Sequence, residues 1–80
     1  MYLEIITPDK MVFEGEVNLV QLPGSKGSFT LLKNHAPIIS TLDKGIIKVQ
    51  DVLGKEHHFN VVGGVIEDVG NKVVVLVESV

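Results

Sequence analysis

Three histidines are the side chains best placed for acid–base or metal chemistry near neutral pH, and they stand at positions 35, 57 and 58. His57 and His58 are adjacent within a strand-like segment, so their side chains point to opposite faces and do not chelate one ion. They read as solvent-edge histidines beside a turn. His35 lies in a loop just before Ala36-Pro37, where it reads as a metal ligand, a base, or a residue shaping a contact loop. A lone histidine without cysteine or a carboxylate cluster makes a poor metal site.

The other chemistry-bearing residues form no catalytic set. Serines 25, 28, 40 and 79 sit in no G-x-S-x-G elbow. Gly24-Ser25-Lys26-Gly27 lacks the G-x-x-x-x-G-K-[ST] pattern and precedes a strand instead of a helix, so phosphate cradling is not supported. Glu14/Glu16 and Glu67/Asp68 are carboxylate pairs by proximity, read as solvated edge charges that discourage sheet-to-sheet association. Asp43-Lys44 near mid-chain raises an alternative, a lipoyl- or biotinyl-type carrier domain modified at Lys44. The glycine directly after Lys44 departs from that pattern. The residues taken alone point to a binding or structural module and not to an enzyme.

Composition narrows the partners. The chain has 80 residues, no cysteine, ten acidic side chains against seven basic ones, and every basic one is lysine. Absence of cysteine removes disulfides and thiolate-ligated metals. Net acidity without arginine argues against nucleic acid. No apolar run approaches the roughly 18–20 residues of a membrane span, and Met1-Tyr2-Leu3-Glu4 has no basic n-region. A single domain over residues 1–80 is expected, soluble or peripheral to a membrane from the cytosolic side. With mean hydropathy of +0.34, so small a domain is expected to turn some apolar surface toward a partner.

The elements that must position these residues are strands. Gly and Pro punctuate the chain every few residues, and the intervals are rich in Val and Ile. Strands are expected over Tyr2–Ile6, Met11–Phe13, Glu16–Leu22, Ser28–Leu32, Pro37–Leu42, Gly45–Val52, His57–Val62, Val65–Val69 and Lys72–Val77, with Gly15 as a kink. Ile47 and Val49 alternate with Lys48 and Gln50, as on a half-buried strand. Val73–Val77 does not alternate, which predicts cover on both faces. Gly63-Gly64 is a backbone device for a tight bend or close approach. Together these predict a β-sandwich or barrel.

Read end to end, the chain resembles the N-terminal β-domain of the epsilon chain of F-type ATP synthases. The resemblance runs through Leu3–Pro8, Val12–Val17, Gly24–Gly27, Asn34-His35-Ala36-Pro37-Ile38-Ile39, Leu42–Gly45, Val61–Glu67 and Val73–Leu76. It implies an all-β, flattened sandwich of two mostly antiparallel five-stranded sheets. It further implies a non-catalytic central-stalk subunit without a cofactor, set between the gamma chain and the membrane c-ring and coupling proton translocation to ATP synthesis. The location implied is peripheral, on the cytoplasmic side of the bacterial inner membrane. Ser28, Lys33, Asn34 and His35 would belong to a loop facing the c-ring, and Thr7 and Ser40 would lie toward gamma. Two departures stand out. Ser28 occupies a position where an acidic residue is common, and Lys33-Asn34 replaces the more usual Pro-Gly. The inhibitory C-terminal helical hairpin of many members would begin where this sequence stops, so nucleotide binding and inhibition by that route are not expected.

Overall fold

A computed structural model describes residues 1–80 and contains eight strands: β1 (Tyr2–Thr7), β2 (Lys10–Leu22), β3 (Phe29–Leu32), β4 (Ile38–Leu42), β5 (Gly45–Asp51), β6 (Glu56–Val61), β7 (Gly64–Val69) and β8 (Lys72–Val77). No helix is long and apolar enough to cross a membrane. The strands follow one hydrogen-bonded path, β4-β7-β8-β1-β2-β5-β6, with β3 pairing to β2. All pairings are antiparallel except that of β1 with β8.

Strand β2 determines the shape. Thirteen residues would run roughly 40 Å if straight, yet the molecule measures only 26 Å along its longest axis. The strand therefore bends. Its first half pairs with β1, from Tyr2↔Glu16 to Thr7↔Lys10. Its second half pairs with β5 and β3, after a register shift between Val17 and Leu19. One layer holds β4, β7, β8, β1 and the start of β2; the other holds β3, the end of β2, β5 and β6. The sequence reading of two strands broken at Gly15 becomes one continuous strand, whose irregularities flank that glycine, at Val12 opposite Ile5 and Ile6 and between Val17 and Leu19. The all-β class is as expected. In place of two separate five-stranded sheets there is one mixed sheet curled into two layers, because a single strand serves both.

Alternation fills the interior from both layers. Leu3 and Ile5 of β1, Val17, Val20 and Leu22 of β2, Ile47 and Val49 of β5, Ile66 of β7, and Val73, Val75 and Val77 of β8 belong to one buried apolar cluster. Burying each of these side chains is worth about 1.5–3 kcal/mol, which is how a chain without disulfides holds together. Phe13 adds aromatic contacts across the open side, with its ring centroid 5.2 Å from that of His57 and 5.8 Å from that of Phe59.

At the β6–β7 connection both anticipated glycine roles occur, one per residue. Gly63 turns the chain at φ 141°, a region side chains disfavour. A Cβ on Gly64 would stand 2.2 Å from the Leu76 carbonyl oxygen and 3.0 Å from Val77 Cα, both backbone atoms. Gly64→Ala is expected to lower unfolding free energy by about 1–3 kcal/mol, read as a lower midpoint in urea with an unchanged slope.

Candidate functional site

The loop after β3 is a tight turn. The His35 backbone N–H donates to the Leu32 carbonyl at 3.3 Å, and Asn34 takes the left-handed conformation at φ 68°. Asparagine is one of the few residues that tolerate it. This accounts for Lys33-Asn34 standing where Pro-Gly would otherwise make the turn. The His35 ring folds back, with Nδ1 donating to the same Leu32 carbonyl. Its Nε2 meets the Asp68 carboxyl group of β7.

Asp68 overturns an expectation. Its neighbour Glu67 is exposed, as read, but Asp68 is only 1% exposed and points into the interior. Strand β7 is not an edge; it lies between β4 and β8, with Ile38 and Val73 opposite Asp68. The period of two already carried the signal, since Ile66 and Asp68 share a face.

The four residues assigned to one loop are divided by β3. Ser28 precedes the strand and Lys33–His35 follow it, roughly 13 Å apart along four extended residues. The Ser28 side belongs to the end of the sandwich where the β2–β3 loop is stitched to β4. There Ser25 N–H bonds the Thr41 carbonyl at 3.1 Å and Asp43 N–H bonds the Pro23 carbonyl at 2.8 Å. The Ser25 hydroxyl donates to Asp43 Oδ1 at 3.1 Å and accepts from Thr41 Oγ1 at 2.8 Å. Lys44 is an exposed residue of the adjoining β4–β5 turn.

Thr7 and Ser40 do not present free hydroxyls. Thr7 is buried and donates to Asp9 Oδ1 at 2.7 Å, closing the β1–β2 turn. That bond, aided by the Asp9 backbone, holds the Asp9 carboxyl below its ordinary value. Ser40 is half-buried and donates to the Thr41 carbonyl at 3.1 Å.

The paired histidines face apart as expected, but only His58 is solvent-edge. His57 packs on Phe13, and its Nε2 donates to Asp51 Oδ2 at 2.9 Å. Asp51 Oδ1 accepts from the N–H groups of Leu53 and Lys55, each at 2.9 Å. The His57 bond first, and the two backbone bonds with it, depress the Asp51 carboxyl from its ordinary value.

The two outer faces differ. Cross-strand register on the β4-β7-β8-β1-β2 layer aligns Val65, Leu76, Ile6 and Met11 in one apolar row. Leu76 is 48% exposed. The next row holds Glu67, Val74, Glu4 and Glu14, so the apolar stripe has an acidic border. Beyond it the Tyr2 hydroxyl donates to Glu14 Oε2 at 2.6 Å, which, with the surrounding carboxylates, pushes its pKa up to about 12. The opposite layer shows Gln21, Thr30, Lys48 and His58 in one row. Leu32 and Leu19 stand beside Gln50 and Glu56 on one side of it and Ile46 beside Asn60 on the other, so its exposed apolar side chains are separated by polar ones. Val73, Val75 and Val77 are covered from the inner side, and on the outer side no part of this chain covers Leu76, so cover there would fall to another polypeptide.

Residues 1–80 match the family described as the ATP synthase delta/epsilon chain, beta-sandwich domain. The ATP synthase epsilon chain of Chlorobaculum tepidum is 41% identical over 78 residues, covering 98% of this chain and 89% of the relative. That of Nitratidesulfovibrio vulgaris strain DP4 is 44% identical over 79 residues, covering 99% of this chain and 58% of the relative. In fold the chain is similar to one in the Euglena gracilis mitochondrial ATP synthase, at TM-score 0.89 and 20% identity, with 96% of this chain and 49% of that one aligned. A chain in the Tetrahymena thermophila central stalk/c-ring structure gives TM-score 0.77 at 19% identity, with 96% and 62% aligned.

A depressed carboxyl stabilises the fold above its unfolded value, and that contribution is lost as pH falls through the folded value. Asp51→Asn is therefore expected to lower the melting temperature at pH 7. Melting scans should show the difference from the parent shrinking toward zero below roughly pH 3, under the ordinary carboxylate range.

Proposed function

The chain belongs to the ATP synthase delta/epsilon chain β-sandwich family, and from that premise we propose that it is a non-catalytic epsilon-type rotor subunit joining the gamma chain to the membrane c-ring. The observation that carries the partner assignment is the apolar row Val65–Leu76–Ile6–Met11 with its acidic border. A surface of that kind suits a partner that offers apolar side chains flanked by lysine or arginine. We assign it to gamma. Thr7 continues the same strand beyond Ile6, and Ser40 lies across from Ile66 at the β4 edge. Both sit beside the row and support it from within, their hydroxyls being already committed.

The c-ring side is assigned to the β3 edge. Strand β3 pairs only with β2, and Ser28 at one end with Lys33 and Asn34 at the other offer polar groups over its length, while His35, its ring committed to Leu32 and Asp68, holds the second end in place. Such an edge suits polar loops at a membrane surface, and the subunit would be peripheral, on the cytoplasmic side. No nucleotide or cofactor enters this role. A curled sheet sharing one strand between two layers resists shear, as a part that transmits torque requires. Family membership leaves the carrier reading at Lys44 without support.

Leu76→Glu places a charge in the apolar row at a half-exposed position, so the fold should survive. Binding to the gamma chain, measured by calorimetric titration, is expected to weaken at least roughly tenfold, the scale of an interface anchor. A control, Gln21→Glu on the polar face, is expected to leave it unchanged.

A further inference from the structure

We propose that His35 and Asp68 form a proton-dependent latch that fixes the β3–β4 loop against the sandwich, closed while the pair holds one proton and open once it is lost. The hydrogens available to the His35 ring decide this. His35 Nδ1 donates to the Leu32 carbonyl, so in a neutral ring Nε2 carries no hydrogen. Nε2 meets Asp68 Oδ2, and an unprotonated nitrogen facing a carboxylate oxygen sets lone pair against lone pair. A neutral ring can donate to Leu32 or to Asp68 but not to both, so the two contacts attract together only while the pair holds an extra proton.

Nothing else compensates the pair. His35 Nε2 and both Asp68 carboxylate oxygens are buried with no hydrogen-bond partner other than what they offer one another. Strands β3 and β4 carry no ionisable side chain, and the β8 neighbour is Val73. Glu67 and Lys72 occupy the opposite face of the sheet. Lys33 is exposed on the loop itself, and the N-terminal ammonium is held beside β2 by Glu16 and the Val17 carbonyl.

The loop depends on this contact. Its one backbone hydrogen bond is His35 N–H to Leu32. The far end of the same seam, by contrast, is stitched by the Ser25–Thr41 and Asp43–Pro23 backbone bonds. The latch is a property of this chain alone; its effect on coupling rests on the reading above that Lys33–His35 meets the ring.

Amide hydrogen exchange and nitrogen-15 NMR of the His35 ring, on the full chain across a pH series, test it in the parent, Asp68→Asn and Asp68→Leu. After correction for intrinsic exchange, protection of the His35 amide in the parent should fall at least roughly tenfold as the pair loses its proton, the scale of one charge-assisted hydrogen bond. Asp68→Asn should keep the loop protected at the alkaline end, because its amide donates to the bare Nε2. Asp68→Leu should leave the loop unprotected at every pH without lowering the melting temperature. Flat protection in the parent, the parent's pH dependence in Asp68→Asn, or parent-like protection in Asp68→Leu would each overturn the latch. If the latch behaves as stated but Asp68→Leu leaves protons pumped per ATP unchanged in the assembled complex, the ring-facing assignment fails and the latch stands.

Discussion

The constraint on which the rest depends is a strand too long for its molecule. Strand β2 has thirteen residues in a body 26 Å long, and it fits only by leaving β1 for β5 and β3 partway along. Both layers therefore share one backbone. Neither can slide over the other without breaking the β2 ladder, which gives rigidity to a domain with no disulfide and a small core. The same bend turns the inner faces of both layers onto one apolar cluster and leaves two outer faces free to differ.

They do differ, and the register explains how. Side chains two apart on a strand share a face. Register across β7, β8, β1 and β2 then brings Val65, Leu76, Ile6 and Met11 abreast. Each is unremarkable alone on a strand. Only the pairing makes them a stripe, and only the neighbouring row of Glu67, Glu4 and Glu14 gives that stripe an acidic edge. On the opposite layer Gln21, Lys48 and His58 stand abreast and separate Ile46 from the Leu19–Leu32 pair, so no apolar row crosses the sheet. The proposed place between gamma and the ring calls for a body whose surfaces are unlike.

Much of this was legible in the residues. The strand intervals, the turns at Pro8-Asp9, Gly54 and Gly70-Asn71, and the two uses of Gly63-Gly64 follow from local chemistry. What local chemistry could not supply was long-range pairing. The continuity of β2 through Gly15 depends on which partners lie beside it, and so does the register that gathers one apolar row. Asp68 was misread as a solvated edge charge: the period of two puts it on the face of Ile66, but the flanking of β7 by β4 and β8, which buries that face, is not written nearby in sequence. Thr7 and Ser40 were chosen as surface positions, yet their hydroxyls serve the Asp9 turn and the Thr41 carbonyl.

The central claim is that one outer face, and not the other, is covered when this subunit joins its partners. The native chain has no cysteine, so single cysteines at Leu76 on the apolar row and Ile46 on the opposite layer can be followed by maleimide labelling, free and in the assembled ATP synthase. The account predicts that both react in the free chain and that assembly protects position 76 while position 46 stays reactive. Protection of position 46 with position 76 still open would contradict it.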